Sequence, residues 1–452
     1  MEGYEYIVIA LLISFMGLLL LGFPVAWTLA GVSLAYATFG ILGYEYLGLD
    51  TYFLDSWSDY AVIVDRIWSL MENWVLTALP MFIFMGLMLE RSGVAEALMT
   101  SFVQVFGRFR GGLALAVVMI GIMFAASTGI VGASVVLLAV LAVPVMLDHG
   151  YSRRLASGVI AASGTLGILI PPSIMLVIMG DQLALSVGEL FMGAVGPGLL
   201  LGLLYIGYVL VLARLNPHAA PAPTDLPPLT ARVILQTLWA VLPPIALIIA
   251  VLGSIFFGIA TPTEAAGVGA FGAIVLAALN RQLSFAVIRE ISYETTYTTA
   301  FIFGIFIGAS AFAIVMRQLG GDVLIEDVLS GLPFGPNGIV LFVLLLTFLF
   351  GFFLDWLEIT LIFLPLMAPV ILNLGFDPIW FVVVFAVALQ TSFLTPPVGF
   401  SLFYLKGVVP PEITTLDIYR GIVPFVLVQI VAIGLVFMFP QLVLWLPEQM
   451  YR

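Results

Sequence analysis

The sequence predicts an all-α polytopic membrane protein, built as an inverted repeat with two re-entrant hairpins and two broken helices. Three observations lead there. The chain is 63% hydrophobic and 9% charged, with a mean hydropathy of +1.22, far above a soluble average. Pro144-Val-Met-Leu-Asp-His-Gly-Tyr151 returns 225 residues later as Pro369-Val-Ile-Leu-Asn-Leu-Gly-Phe376. Pro171-Pro172 returns at the same offset as Pro396-Pro397, inside long apolar segments where each proline removes a backbone donor and breaks the helix. Broken membrane helices at matching places in two halves point to a secondary transporter.

Apolar segments run over 6–22, 24–43, 74–90, 156–179, 193–213, 233–254, 259–279, 295–316, 379–400 and 422–446, with two longer stretches at 112–147 and 338–372. The Met1-Glu-Gly-Tyr-Glu-Tyr start lacks a basic n-region, so the first segment is expected to remain as a span. Taking each long stretch as a hairpin leaves both termini outside the cytoplasm. Cytoplasmic loops then hold Arg91, Arg108, Arg110, Arg153, Arg154, Arg214, Arg232, Arg281, Arg289, Lys406 and Arg420. The outside holds only Arg66, Arg317 and Arg452. Eleven of 14 basic residues inside is a positive-inside distribution, although two full crossings per stretch would give the same sidedness.

Length favours the hairpins. Around the tip Ser127-Thr-Gly-Ile-Val-Gly-Ala133, the arms 113–126 and 134–147 extend about 21 Å each, short of a hydrocarbon core of about 30 Å. The equivalent tip in the second half is Phe352-Phe-Leu-Asp355-Trp-Leu-Glu358. The first half is therefore 1–213 (hairpin 112–147, broken helix 156–179), and the second is 233–452 (hairpin 338–372, broken helix 379–400). Between them, 214–232 is proline-rich and reads as an extended cytoplasmic spacer. A weaker echo pairs Gly22-Phe-Pro24-Val-Ala with Gly258-Ile-Ala-Thr-Pro262-Thr-Glu264-Ala, in which Thr261, Pro262 and Glu264 have the form of a capping box.

Polar residues at membrane depth cluster at tips and breaks: Ser127, Thr128, Ser134, Ser163, Thr165 and Ser173, then Asp355, Glu358, Thr360, Gln390, Thr391, Ser392 and Thr395. A broken helix exposes carbonyls, which with hydroxyls are hard ligands for Na⁺, and N–H groups, which favour a carboxylate. Candidate sodium ligands are Ser127, Thr128, Gly132, Ser134, Pro171, Asp355, Glu358, Thr360 and Pro396. Candidate substrate-binding residues are Thr165, Ser173, Thr395 and Gly399. The competing reading for a single Ser or Thr is a hydroxyl bonded back onto its own helix. For Asp355 it is structural pairing or solvation at the hairpin tip. A buried carboxylate costs several kcal/mol and commonly marks an ion path.

Other chemistry is excluded or disfavoured. No cysteine is present, and the two histidines, His149 and His218, sit beside loop residues, so no cofactor is expected beyond Na⁺ as coupling ion. An intramembrane enzyme would need a nucleophile and base at depth. Asp355 and Glu358 could form an acid pair, but the first half supplies no partner acid. The segment 44–74 is acidic and aromatic, and Leu54, Trp57, Ala61, Val64, Trp68 and Met71 form one apolar stripe at helical spacing. It fits either an interfacial anchor in the lipid bilayer or a docking site for a partner subunit.

Pro80-Met-Phe-Ile-Phe-Met-Gly86, Gly167-Ile-Leu-Ile-Pro-Pro-Ser-Ile174, Leu190-Phe-Met-Gly-Ala-Val-Gly-Pro-Gly198, Thr261-Pro-Thr-Glu-Ala-Ala266 and Thr395-Pro-Pro-Val-Gly399 resemble, over essentially the whole chain, the large membrane subunit of TRAP (tripartite ATP-independent periplasmic) transporters. The resemblance implies an elevator-type permease in a bacterial or archaeal cytoplasmic membrane. Its partners would be a small four-helix membrane subunit and an extracytoplasmic substrate-binding protein, with no nucleic acid. The cargo would be an organic acid driven by a sodium gradient. Two features depart from many members: the tip Ser127-Thr-Gly-Ile-Val-Gly-Ala-Ser134 replaces a Ser-Gly-Ser type run, and the 44–74 insertion is long, resembling a subgroup associated with 2-oxo acids and other monocarboxylates. The alternative is a stand-alone sodium/carboxylate symporter that needs no binding protein.

Overall fold

The computed structural model describes residues 3–128, 131–222 and 230–450, with the side chains of 125–128 outside that description. The regular elements are helices, without a strand among the described residues. The first half forms α1 (Gly3–Leu20), α2 (Val25–Leu47), α3 (Trp57–Glu72), α4 (Ala78–Glu90), α5 (Val94–Phe106), α6 (Gly112–Thr128), α7 (Val131–Asp148), α8 (Arg153–Thr165), α9 (Ile174–Gln182) and α10 (Val187–Leu215). The second forms α11 (Ala231–Phe256), α12 (Pro262–Leu279), α13 (Phe285–Gln318), α14 (Gly321–Ser330), α15 (Pro336–Phe350), α16 (Trp356–Glu358), α17 (Leu364–Asn373), α18 (Pro378–Phe393), α19 (Phe400–Val408), α20 (Thr415–Met438) and α21 (Gln441–Met450). A π-type turn, Ile359–Phe363, joins α16 to α17 as one continuous helix. Nine helices among the described residues are long and apolar enough to cross a membrane, so the chain is an all-α polytopic membrane protein.

Local chemistry sets the helix starts. Thr261 and Glu264 cap α12 reciprocally: Thr261 N–H donates to Glu264 Oε2 at 2.8 Å, and Glu264 N–H donates to Thr261 Oγ1 at 3.3 Å. Pro262 supplies the first-turn φ, as the sequence indicates. Ser152, Ser173, Ser186 and Thr230 accept from the third residue beyond them at the starts of α8, α9, α10 and α11.

Helix bounds repeat at the offset of 225. Helices α5 to α10 each have a counterpart that starts and ends within three residues of the position 225 further on, and Val131–Asp148 maps directly onto 356–373. Both double prolines are joined by cis peptides. Both proline-bearing helices are broken: α8 ends in a turn of 3₁₀ helix, Leu166–Ile168, before α9, and α18 ends at Phe393 before α19 starts at Phe400.

The chain forms two compact units, residues 1–76 with 297–378, and residues 77–296 with 379–452. In the second unit α8 and α18 are the core: Leu155–Thr165 and Ile379–Phe393 are buried throughout. The α8 sequence allows this because Ala, Ser and Gly bring backbones close. A Cβ on Gly158 would lie 2.2 Å from the Gly421 carbonyl oxygen, and one on Gly421 would lie 2.1 Å from that of Arg154. Trp380 Nε1 donates to the Val436 carbonyl at 3.1 Å, satisfying its only polar group. In the first unit Phe15 packs on Phe312, and Gln318 Nε2 donates to the Asp59 carbonyl at 2.7 Å, tying α3 to the end of α13.

Several expectations change. The first hairpin arms are 17 and 18 residues, because helix geometry carries through Ser127 and Thr128 and resumes at Val131. Arm length therefore does not separate a re-entrant hairpin from two crossings. Residues 94–106 and 321–330, expected as connecting segments, are amphipathic helices of 13 and 10 residues. The last apolar segment is split by Pro440 into α20 and α21. The interhalf spacer is not wholly extended. Helix α10 runs to Leu215, and the next residues fold back: Gly111 N–H donates to the Ala220 carbonyl at 3.1 Å, and Ser152 N–H to that of Ala219 at 3.0 Å. Leu54 leaves the apolar stripe of 44–74, since it lies before α3 and is buried, whereas Trp57, Val64, Trp68 and Met71 are exposed.

Candidate functional site

The unit 77–296 with 379–452 gathers most of the predicted site. Gly132 and Ser134 lie in the first turns of α7, and Thr165 ends α8. Pro171 and Ser173 form the first break, and Thr395, Pro396 and Gly399 form the second. Close approach explains the glycines. A Cβ on Gly164 would lie 2.4 Å from Val135, locking α8 against α7, and one on Gly132 would lie 3.0 Å from the Tyr404 ring on α19. Gly399 sits at the N-cap of α19 at φ +54, a left-handed conformation that favours glycine. The calls on Ser127 and Thr128 rest on side chains outside the described residues.

The two breaks are closed in the same way. Ser173 Oγ donates back to the Ile168 carbonyl, and Ser401 Oγ donates back to the Phe393 carbonyl at 2.6 Å. Ile168 and Phe393 are 225 residues apart, so equivalent carbonyls left over by the broken helices receive a hydroxyl from the helix beyond. Gln390 Nε2 donates to Thr165 Oγ1 at 3.3 Å, and these two residues also differ by 225. The ends of α8 and α18 thus touch through equivalent positions.

Hydroxyls at the breaks are mostly bonded to their own helix. Thr165 donates to Ala162 O at 2.8 Å, Thr391 to Val387 O at 2.9 Å, Ser392 to Leu389 O at 2.6 Å and Thr395 to Thr391 O at 2.8 Å. These bonds use the proton and leave oxygen lone pairs able to meet a cation or a donor. Ser163 Oγ and Gln390 Oε1 are buried without a hydrogen-bond partner. So are Tyr205 OH and both amide atoms of Gln429, two residues that the sequence reading passed over. The Tyr205 hydroxyl faces Gln429 and Thr165 without completing a hydrogen bond to either. Their signal was faint: one amide within the apolar α20, and one of two tyrosines among the leucines of α10.

Asp355, Glu358 and Thr360 belong to the other unit and are described within it. Asp355 N-caps α16, its Oδ1 accepting from Trp356 N at 2.8 Å. Glu358, the last residue of the expected tip, and Thr360, two residues past it, lie inside the helical segment. Glu358 is 2% exposed, and its Oε2 and the Thr360 hydroxyl have no hydrogen-bond partner. The capping role thus falls to Asp355, and Glu358 is the acid without a structural explanation.

A family model, "Tripartite ATP-independent periplasmic transporter, DctM component", matches residues 12–442. A C4-dicarboxylate TRAP transporter large permease protein of Pseudomonas aeruginosa is 31% identical over 384 residues, covering 85% of this chain and 88% of that protein. An isethionate TRAP transporter permease protein of Oleidesulfovibrio alaskensis is 30% identical over 347 residues, covering 76% of this chain; the chain spans about half of that longer relative, 54%. Among solved structures, the Alcanivorax borkumensis YdaH transporter shares the fold, with a TM-score of 0.58 at 15% identity over 83% of this chain and 89% of that one. The chain belongs to the DctM component family of tripartite ATP-independent periplasmic transporters.

Proposed function

We propose that, as a DctM component, this chain imports an organic acid by symport with sodium, receiving the acid from an extracytoplasmic binding protein and working with a small membrane subunit. Its two halves are an inverted repeat with both termini outside, and transport proceeds by an elevator-like motion. One observation carries the reading furthest: Thr165 and Gln390, equivalent positions of the two halves, are hydrogen-bonded to each other at the ends of two broken helices. Residues related by a two-fold axis meet only on that axis, and the midplane breaks of inverted repeats are where transporters hold substrate and ions.

The residue roles follow from the donor set. Backbone N–H groups beyond the breaks, with Thr165, Ser173, Thr395 and Gly399, suit a carboxylate. Oxygens of Ser127, Thr128, Gly132, Ser134 and Pro171 suit one sodium ion; the remaining candidate sodium ligands are Asp355, Glu358 and Thr360 in one unit and Pro396 in the other. The substrates named for relatives, a C4-dicarboxylate and isethionate, are both small organic anions.

The test is uptake into proteoliposomes holding this chain with its small subunit, across a panel of labelled organic acids. Uptake is expected only with an inward sodium gradient and the cognate binding protein. Unchanged uptake with choline in place of sodium at fixed pH would refute sodium coupling. Robust sodium-driven uptake by this chain alone would favour the stand-alone symporter.

A further inference from the structure

The base of the first hairpin and the end of α10 are held together by an unusually close contact. Gly111, at φ +81, lies beside Ala213, where a Cβ on the glycine would come within 2.8 Å of the alanine Cβ. The contact places the flanking residues Arg110 and Arg214 on one depression of about 600 Å³, whose other walls among the described residues are Leu210, Val211 and Ala213. Both arginines are exposed, and neither has an ion pair with a described residue. Arg154 differs: its Nε lies 3.8 Å from Asp417 Oδ1. Two like charges on one concavity, with no acid among its described lining residues, repel each other, and an anion between them removes that cost.

The walls narrow the choice of anion. Leu210, Val211 and Leu215 are exposed apolar residues on a helix of 29 residues. At 1.5 Å per residue α10 is about 43 Å long, exceeding the hydrocarbon core of about 30 Å, so its end reaches the headgroup level. A ligand fitting both parts carries a phosphate for the guanidinium groups and a chain for the leucine–valine face. We propose that the Arg110–Arg214 depression is a binding site for an anionic phospholipid, with the phosphate between the arginines and an acyl chain along Leu210 and Val211. Bound there, the lipid would brace the hairpin base against α10 where Gly111 meets Ala213.

The full chain, purified in detergent, would be titrated with phosphatidylglycerol and with phosphatidylcholine of the same acyl chains, and bound lipid counted by native mass spectrometry. Wild-type protein is expected to retain phosphatidylglycerol preferentially. The double variant Arg110→Gln/Arg214→Gln should reduce that preference about fivefold or more, while Arg66→Gln, on α3 of the other unit, leaves it unchanged. If the double variant does not purify, Arg110→Gln alone, outside any helix, is expected to lower the preference in the same direction. Equal phosphatidylglycerol retention by wild type and variant would overturn the proposal. Displacement of the lipid by millimolar inorganic phosphate would also overturn it, in favour of a soluble anion.

Discussion

At the scale of single residues, burial and bonding redistribute the roles of the acids. An unpaired buried carboxylate is costly, so Glu358 needs a cation, a proton or a donor in at least one working state. Asp355 has a stabilising task already, since its side chain caps α16. Asp355→Asn is therefore expected to leave folding intact, because Asn caps as well as Asp. If Asp355 also serves the ion, that substitution raises the sodium concentration for half-maximal uptake; an unaltered midpoint assigns it to the cap. Glu358→Gln keeps volume and hydrogen-bonding capacity but removes the charge. We expect it to raise the sodium midpoint about tenfold or more with normal assembly, and an unchanged midpoint would remove Glu358 from the ion path. The sequence left the two acids unsorted because it locates the tip but not the first helical residue, on which the capping role depends. The pair Thr165–Gln390 was legible only as two polar residues at depth. Thr165→Val leaves the Gln390 amide buried without its acceptor, which costs about 1–3 kcal/mol. Thr165→Ser should retain most of that stability, and equal thermal midpoints for the two variants would contradict the bond.

At the scale of elements, the breaks were readable and the close crossings were not. A double proline removes two donors, so the interruptions after α8 and α18 follow from covalent structure. The 13 residues of α5 run too short to announce a span, and their helix depends on burying Leu98, Met99 and Phe102. The Gly158–Gly421 crossing needs two sequence-distant glycines to meet, which no local pattern encodes. Gly158→Val would drive its side chain into a carbonyl only 2.2 Å from the Cβ position. It should cost about 1–3 kcal/mol or more, read as lost monodisperse yield, whereas Gly207→Val, with nothing within 4 Å, should be tolerated. The start of α3 supplies a pH test. Asp59 Oδ2 accepts from Ser56 Oγ at 2.7 Å and Ser56 N at 2.8 Å, and the Ser56 hydroxyl is the main reason its carboxyl is held below the usual range. A depressed folded value means the contribution is present above the unfolded carboxylate pKa and lost as pH falls through the folded one. Amide exchange in the first turn of α3 should rise in that acidic window, and Ser56→Ala should show the faster exchange already at neutral pH.

At the scale of the whole molecule, the chain is acidic, with a net charge of −12, yet its proposed cargo is an anion. Acidic residues crowd 44–74, so long-range fields there repel dilute organic acids. The proposed binding protein would resolve the conflict by shielding the substrate charge until delivery. The structure sharpens which residues to test. Asp59 caps α3 and Asp55 accepts from Thr51 Oγ1 at 3.0 Å, so reversing either would perturb the fold itself. Asp65 is exposed on α3 near Val64 and Trp68, apolar side chains that the fold leaves uncovered, and it makes no bond to another described residue. Asp65→Arg is therefore expected to leave the thermal midpoint of the isolated chain unchanged while weakening docking of the binding protein or small subunit, seen as a several-fold higher binding-protein concentration for half-maximal uptake. Its sodium midpoint should not move, because a docking surface and an ion path are different couplings. A shift in sodium affinity with unaltered docking would place α3 in the transport cycle instead, and would return the exposed Trp57, Val64, Trp68 and Met71 to the simpler role of an interfacial anchor.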